Sequence, residues 1–184
     1  MLYLVTGGSG SGKSRYAEDL AVSRYSQAAE PGGRLYYVAT MLPYDEEGRQ
    51  RVKRHQAMRR NKGFVTWEQY THIEKVKAGA GDVILLECMS NLLANEMYHE
   101  NGQLCEEHTL ELTEKAILKP LKALAETAGS VIVVTNEIFS DGVEYGQETK
   151  CYQMLLGYIN QRLVELSAQA VEIVCGIPVP IKQL

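Results

Sequence analysis

Apolar residues in this chain fall into short continuous runs, separated by longer segments in which they recur at helical spacing. The runs indicate buried β-strands, and they cover residues 2–5, 34–39, 82–88, 130–135 and 171–175. A shorter run at 64–67 indicates another strand, and Pro178 and Pro180 suit an edge piece at 179–181. Strands that alternate with helices are typical of βαβ units, so the pattern predicts an α/β fold with a mainly parallel sheet.

The segments between the strands predict the helices. A helix follows the first strand, with Tyr16, Ala17, Leu20 and Ala21 on one side, and further helices are predicted at 46–60, 73–77, 89–98, 104–128 and 147–170. Pro120 starts or kinks the last part of the 104–128 segment. The chain shows no repeat and no linker, so we expect a single domain over residues 1–184. Residues 40–81 are a candidate helical elbow that stands off the core.

A glycine-rich loop links the first strand to the first helix. Its residues fit G-x-x-x-x-G-K-[ST] at every fixed position, and they are Gly7, Gly8, Ser9, Gly10, Ser11, Gly12, Lys13 and Ser14. Glycines let successive backbone N–H groups face a phosphate, and the N-terminus of the helix adds a favourable field. Lys13 can reach the outer phosphates, and the Ser14 hydroxyl can ligate Mg²⁺. The loop therefore predicts that the protein binds a nucleoside triphosphate.

An acidic residue closes the strand predicted at 82–88. Glu87 has the form of a Walker B acid, which lies beside Mg²⁺ or its water shell in proteins with such a phosphate loop. Asp82 lies at the opposite end of the same strand and is therefore a poor candidate. We predict that Ser14 and Glu87 together hold the metal ion.

Loops at the carboxyl ends of parallel strands line the ligand crevice of an open α/β sheet. Ala39, Thr40 and Met41 follow the second strand, so they are candidates for nucleotide contact, with a plain connector as the alternative. Glu137 and Asp141 follow the strand at 130–135. On this argument alone, either of them is a candidate general base.

One predicted helix carries an unusual face. At helical spacing the segment 46–60 brings together basic residues in place of an apolar stripe, and these positions are Arg51, Arg54, His55, Met58 and Arg59. A solvated basic helix is one explanation. The other is catalytic, because arginines suit phosphate oxygens and their field keeps His55 neutral and nucleophilic.

Composition and charge are those of an ordinary globular protein. The 184 residues are 45% hydrophobic and 23% charged, and the net charge of −4 argues against a nucleic-acid partner. No apolar run approaches the roughly 20 residues that span a bilayer, and the N-terminus has the pattern of a strand and a phosphate loop, not that of a signal peptide. We expect reduced, mostly buried thiols in a cytoplasmic protein, at Cys88, Cys105, Cys151 and Cys175. The remaining histidines lie in polar, isolated settings and are expected at the surface, at His72, His99 and His108.

Several motifs taken together resemble one family. They are LVTGGSGSGKSRYAE, YYVAT, RVKRHQAMRR followed by VTWE, DVILLEC, VTNE, YINQRL and GIPVPIK, which between them extend over nearly the whole chain. This set is similar to the bifunctional adenosylcobinamide kinase / adenosylcobinamide-phosphate guanylyltransferase family of cobalamin biosynthesis. The phosphate loop is generic. The asparagine–glutamate pair after the fourth strand, NQRL in the last helix and a lone histidine among arginines are much more specific.

The resemblance implies a P-loop, RecA-like fold and two reactions. In the first, ATP or GTP phosphorylates the aminopropanol hydroxyl of adenosylcobinamide. In the second, a histidine, matched here by His55, attacks the α-phosphate of GTP and holds GMP, which passes to adenosylcobinamide phosphate. The resemblance also implies nucleotide contacts by the residues that follow the histidine and by an acid further on, which are Ala57, Met58, Arg59, Arg60 and Glu68. Members of the family are similar in forming trimers, so a homotrimer is expected.

The chain departs from the family pattern at some positions. It has Gly10 where the family has an arginine, Asn61 where it has a proline and Phe64 where it has a tryptophan. It also has Gln153-Met154 in place of an arginine–aspartate pair. Three alternatives to the bifunctional enzyme therefore stay open, namely a guanylyltransferase alone, a P-loop kinase of another small metabolite, and a nucleotide-dependent switch protein.

Overall fold

The computed structural model describes residues 1–28, 32–43, 46–104, 107–140 and 142–183, but not the side chains of residues 47, 51, 55 and 58. The strands in this part of the chain are β1 (Leu2–Thr6), β2 (Leu35–Ala39), β3 (Val65–Glu68), β4 (Val83–Glu87), β5 (Ser130–Val134), β6 (Gln169–Val174) and β7 (Ile177–Lys182). The α-helices are α1 (Lys13–Ser26), α2 (Glu46–Arg59), α3 (Met89–Tyr98), α4 (Leu110–Thr113), α5 (Lys119–Thr127) and α6 (Gln147–Leu166). A 3₁₀ turn covers Ile73–Lys75, and a π-helical segment, Glu114–Leu118, joins α4 to α5.

The strands form one sheet in the order β3-β2-β4-β5-β1-β6-β7. Neighbouring strands are parallel throughout, except that β7 runs antiparallel to β6 at the edge. The α/β class and the mainly parallel sheet are therefore confirmed. β1 lies between β5 and β6, while the chain crosses from β1 to β2 on the other side of β5 and β4. The loop after β1 thus opens where the strand order reverses, which is where open α/β sheets bind ligands.

Both faces of the sheet are covered, which explains why its strands are continuous apolar runs. Side chains of β1 alternate between the two cores, because successive residues of a strand point to opposite faces. Leu2 and Leu4 belong to the larger core, with residues of α3, α5 and α6. Tyr3 and Val5 belong to the smaller one, beneath Ala17 and Ala21 of α1.

Helix boundaries differ from the prediction at three places. In the segment predicted as helical over 104–128, Leu104 and residues 107–109 are not helical, and the helix begins at Leu110, where the Thr109 hydroxyl accepts the Leu112 N–H at 3.2 Å as an N-cap. The predicted helix at 73–77 is a single 3₁₀ turn, because Val76 is already extended. The last helix ends at Leu166 and not at 170, since Gln169 and Ala170 pair with β1 as part of β6.

The three histidines are not isolated, contrary to expectation. His72 Nδ1 lies 2.9 Å from Glu74 Oε1, and His72 Nε2 lies 2.9 Å from the Asn101 carbonyl. His99 Nδ1 accepts the Asn101 N–H at 3.1 Å, and His108 packs edge-on against Tyr98. The three side chains thus make contacts near the C-terminal end of α3 and the segment that follows it.

The cysteines are less buried than predicted. Cys175 is exposed in the turn between β6 and β7, while Cys88 and Cys151 are half-buried free thiols. Cys105 lies outside the described residues. The same β6–β7 turn contacts the phosphate loop, because the Gly176 N–H donates to the Ser11 carbonyl at 2.9 Å. No helix in the described ranges combines the length and the apolar character needed to cross a bilayer.

Candidate active site

The phosphate loop leaves β1 and turns into α1 through left-handed glycines. Gly12 has φ +94° immediately before the first residue of α1. Gly7 has φ +151°, and a Cβ there would lie 2.6 Å from the Ile173 carbonyl oxygen. A side chain at either position would therefore be strained. The sequence keeps glycine where the loop must turn its amides towards a ligand.

Lys13 folds back over the loop that it follows. Its Nζ donates to the Gly8 carbonyl at 2.9 Å. Burial lowers the pKa of Lys13, and the electrostatic interactions with Cys88 and Glu87 oppose that shift. The charged amine is therefore partly desolvated beside the loop. The negative charge of a bound phosphate would offset the cost of this desolvation.

Glu87 is the acid at the carboxyl end of β4, and it faces the loop. The Ser14 hydroxyl donates to Glu87 Oε1, and the Tyr37 hydroxyl donates to Oε2 at 3.2 Å. Asp82, at the opposite end of β4, instead accepts the backbone N–H groups of Arg34 and Gly79 at 2.8 Å each. A hydroxyl and a carboxylate oxygen are the ligand types that Mg²⁺ takes from a protein beside phosphates and waters, so the donor set of Ser14 and Glu87 fits this ion.

A cavity of about 640 Å³ opens over the loop and the carboxyl ends of the central strands. The residues of the predicted site that line it are Ser9, Gly10, Ser11, Gly12, Lys13, Ser14, Ala39, Met41, Arg59, Glu68 and Glu87. Helix α2 contributes to the same wall through Val52, Arg54, Gln56 and Arg59. The structure thus brings the loop, the acid of β4 and the helix that carries His55 around one space.

Other predicted residues lie away from the cavity lining. Gly7 and Gly8 form the base of the loop, and Ala57 and Arg60 are exposed on or just after α2. Thr40 is fully buried, where its hydroxyl bonds the backbone of Cys88, accepting the N–H at 2.7 Å and donating to the carbonyl at 2.8 Å. The side chains of His55 and Met58, and all of Asp141, lie outside the described residues.

Glu137, one of the two candidates for general base, lines the cavity. Its Oε1 also accepts the Phe139 N–H at 2.8 Å and the Ser140 hydroxyl at 2.9 Å.

Arg59 is a basic residue of α2 that the fold buries. It is only 6% exposed, and its guanidinium lies 3.3 Å from the ring centroid of Tyr37. Its Nη1 has no hydrogen-bond partner among the described residues. A buried, unpaired guanidinium N–H is costly, and a phosphate oxygen is the partner that best matches it. Nothing in the charge pattern distinguished this arginine from its exposed neighbours.

The wall on the β2–β3 side depends on residues that the sequence did not single out. Buried Asn95 of α3 donates through Nδ2 to the carbonyls of Thr40 at 2.7 Å and Tyr70 at 2.9 Å. The Tyr70 hydroxyl then donates to Glu68 Oε2 at 2.9 Å. Burial, followed by the bond to Glu68, raises the pKa of Tyr70 to about 12. Asn95 therefore fixes the backbone of both strand ends, and Tyr70 orients the exposed carboxylate.

The specific motifs after β5 and in α6 meet in one polar group. Asn136 Nδ2 donates to the Ser90 hydroxyl at 2.6 Å, which ties the end of β5 to the start of α3. The Thr135 hydroxyl donates to Asn160 Oδ1 at 2.7 Å, which ties the same strand end to α6. The asparagines of VTNE and YINQRL thus connect the end of β5 to α3 and to α6, at the base of the cavity.

The sheet order, the glycine loop before α1 and the acid of β4 define a nucleotide-binding protein of the P-loop class. The family described as "Cobinamide kinase / cobinamide phosphate guanyltransferase" (CobU) matches residues 3–181. The chain therefore belongs to this family.

Curated relatives carry related names. The chain is 31% identical, over 97% of its length and 96% of the relative, to the bifunctional adenosylcobalamin biosynthesis protein CobP of Pseudomonas aeruginosa. It is 29% identical, over 99% of its length and all of the relative, to the bifunctional adenosylcobalamin biosynthesis protein CobU of Escherichia coli. The CobU protein of Salmonella typhimurium is 29% identical over the same shares. These matches confirm the family that the motifs indicated.

Proposed function

We propose that this protein phosphorylates adenosylcobinamide and then transfers GMP from GTP to adenosylcobinamide phosphate, giving adenosylcobinamide-GDP. The observation that supports it best is the shared cavity, in which residues 52, 54, 56 and 59 of the histidine helix face the same space as the phosphate loop. The family match and the names of the relatives agree with both reactions.

For the kinase reaction, the loop binds the triphosphate of ATP or GTP and directs its γ-phosphate to the substrate hydroxyl. Lys13 neutralises the outer phosphates, and Arg59 offers its unpaired Nη1 to an oxygen. Ser14 and Glu87 would hold Mg²⁺, which neutralises phosphate charge when bound. Positioning and charge neutralisation account for most of the rate in such transfers.

For the guanylyl transfer, His55 is the nucleophile. An imidazole nitrogen attacks the α-phosphorus of GTP, the bond to the β-phosphate oxygen breaks and pyrophosphate leaves, so that GMP stays on His55 as a phosphoramidate. A phosphate oxygen of adenosylcobinamide phosphate then attacks the same phosphorus, and the histidine nitrogen is released. The remaining nucleotide contacts that we propose lie around the loop and both walls, with Ala39, Met41 and Glu68 on the β2–β3 side.

Three further proposals concern the whole molecule. Residues 1–184 act as one domain, which is supported by the single sheet that all the described strands share. A homotrimer is proposed from the family resemblance. A cytoplasmic location is proposed because ATP and GTP, the substrates, are metabolites of that compartment.

The test is to incubate the purified protein with Mg²⁺ and GTP labelled at the α-phosphate, then to separate it under denaturing conditions. We expect an acid-labile, base-stable label in the wild type and none in His55→Ala. Tight GTP binding without label would eliminate the transferase reaction, and label that survives His55→Ala would identify another nucleophile. A parallel assay with γ-labelled ATP and adenosylcobinamide measures the kinase reaction separately, which matters because Gly10 replaces the family arginine.

A further inference from the structure

An ion-paired cluster joins the end of the histidine helix to the helix that follows the phosphate loop. Lys62 lies three residues beyond the end of α2, and its Nζ donates to Glu18 Oε2 at 2.9 Å and to Asp19 Oδ1 at 2.7 Å. Glu18 and Asp19 belong to α1. We call Glu18, Asp19 and Lys62 the anchor cluster.

Most of the anchor cluster is buried. The Glu18 side chain is fully buried, and that of Lys62 is 26% exposed, whereas that of Asp19 is 60% exposed. Burial raises the pKa of Glu18, and the hydrogen bond and charge of Lys62 oppose that shift. A buried carboxylate is costly unless it is paired, so Glu18 has a physical reason to keep Lys62 in place.

The cluster lies next to the catalytic centre. Two residues of the cavity wall act electrostatically on the pKa of Glu18, since Glu87 raises it and Arg59 lowers it. Arg59 is the last residue of α2 and packs on Tyr37, and the Lys62 N–H donates to the Arg59 carbonyl at 2.9 Å in the turn between them. The C-terminal end of α2 is therefore held by the turn, by Arg59 and by Lys62.

His55 lies one helical turn before Arg59, close to this held end. The ion pair of Arg49 with Glu46 in the N-terminal part is exposed and lies within α2, so that pair does not hold the helix against another element. Residues near a fixed point of a helix are positioned more precisely than residues further along it.

We infer that Lys62 is a positioning residue for the guanylyl transfer, which holds the His55 end of α2 against α1 and so fixes the approach of the nucleophile to the nucleotide on the phosphate loop. This inference rests on the proposed function of His55. It assigns a role to a lysine that does not itself line the cavity.

The experiment compares Lys62→Met with Lys62→Arg and with Lys53→Met. Methionine keeps much of the length of the side chain but removes the charge, and arginine keeps the charge. Lys53 is the matched control, because it is an exposed lysine of α2 outside the cavity lining. The measured quantities are the rate of GMP labelling from α-labelled GTP, the dissociation constant of a non-hydrolysable ATP analogue and the melting temperature.

We expect Lys62→Met to lower the labelling rate at least 10-fold while the dissociation constant of the analogue changes less than 3-fold. Lys62→Arg should recover most of the rate, and Lys53→Met should behave as the wild type. An unchanged labelling rate in Lys62→Met would overturn the inference. A parallel loss of labelling, analogue binding and melting temperature would also overturn it, because it would show a purely structural role.

Lys62→Met leaves Glu18 buried without its partner, so the variant has a reason to fold poorly. Glu18→Gln/Lys62→Met removes both charges and avoids that difficulty. In this double variant we again expect slow labelling with normal analogue binding. Normal labelling by a folded double variant would mean that the ion pair does not position the helix.

The failure of the proposed function itself has a different signature. If the wild type takes no label, amide hydrogen exchange over residues 46–62 still tests the cluster, because it needs no chemistry. Faster exchange at the C-terminal end of α2 in Lys62→Met than in Lys53→Met supports the anchor, and equal exchange in the two variants overturns it.

Discussion

The hydroxyl of Ser14 donates a hydrogen bond directly to Oε1 of Glu87, which joins the phosphate loop to the end of β4. Both oxygens are of the kind that Mg²⁺ binds. If Ser14 and Glu87 hold a metal–nucleotide complex, as proposed above, this hydrogen bond would be lost, because both oxygens would then be ligands of the cation. The Tyr37 hydroxyl, which donates to the other carboxylate oxygen, keeps Glu87 in place meanwhile.

The first prediction concerns the two acids at the ends of β4. Glu87→Gln keeps the shape of the side chain but removes its charge, so we expect Mg²⁺-dependent turnover to fall roughly 10²-fold, the usual scale for one preorganised electrostatic contact. Asp82→Asn is the matched control. It weakens the acceptor of the Arg34 and Gly79 N–H groups and should lower stability without changing kcat. Rates measured against Mg²⁺ concentration check both, and equal losses of kcat would contradict the assignment.

The second prediction concerns Arg59. Because lysine cannot reproduce a planar guanidinium packed on Tyr37, we expect Arg59→Lys to lower GMP labelling about 10- to 100-fold, or about 1.4–2.7 kcal/mol. Arg49→Lys, at an exposed position of the same helix, should have no effect. Single-turnover labelling is the measurement. Wild-type rates in Arg59→Lys would show that its free N–H does not bind phosphate.

The third prediction concerns Asn95. Asn95→Leu leaves the carbonyls of Thr40 and Tyr70 without their donor, and we expect the free energy of unfolding to fall by about 1–3 kcal/mol. The two strand ends also lose their common support, so KM for GTP should rise. Urea denaturation and initial rates measure the two effects. A stability loss without any change in KM would mean that the hydrogen bonds of Asn95 stabilise the fold but do not affect nucleotide binding.

The fourth prediction is a pH dependence set by Lys13. The amine is charged below its pKa, and burial lowers that pKa from 10.5. Triphosphate affinity is therefore complete at lower pH and declines as pH rises through the lowered pKa, beginning earlier than for an ordinary lysine.

Titration calorimetry at increasing pH checks this dependence. Tyr70, with a pKa of about 12, and Tyr37, whose pKa burial also raises, stay neutral in that range. Cys88→Ser removes the neighbouring thiol, so that its ionisation cannot cause the decline in triphosphate affinity. An arginine remains charged throughout, so Lys13→Arg should show no decline, and the same decline in that variant would assign it to another group.

Most of the fold could be predicted because its signals are local. Buried runs of β-branched and leucine residues fix strands such as β4 and β5, and the glycine loop between a strand and a helix is specific. Boundaries were less certain. Residues 107–109 follow a helical pattern in the sequence, but the Thr109 cap starts the helix at Leu110, and the pairing of Gln169 with Tyr3 ends the last helix early.

The site divides in the same way. The phosphate loop and Glu87 carry their own sequence signals. Helical spacing made His55 and Arg59 candidates, and the family resemblance favoured the catalytic explanation and added Glu68. Asn95, Tyr70, Tyr37 and Lys62 carry none, because their roles depend on contacts between residues far apart in the chain. The distinction between buried Arg59 and exposed Arg60 likewise depends on tertiary packing, which places only Arg59 over Tyr37.

The contact of Gly176 with the Ser11 carbonyl has a consequence for biosynthesis of the protein. The phosphate loop is translated well before the turn that supports it, because strands β2 to β6 lie between them in the chain. A nascent chain therefore exposes an unsupported loop until that turn is made. Nucleotide can assist folding only when β6 and β7 have joined the sheet, so GTP should speed the refolding of the whole chain and have no effect on a chain that stops before β6.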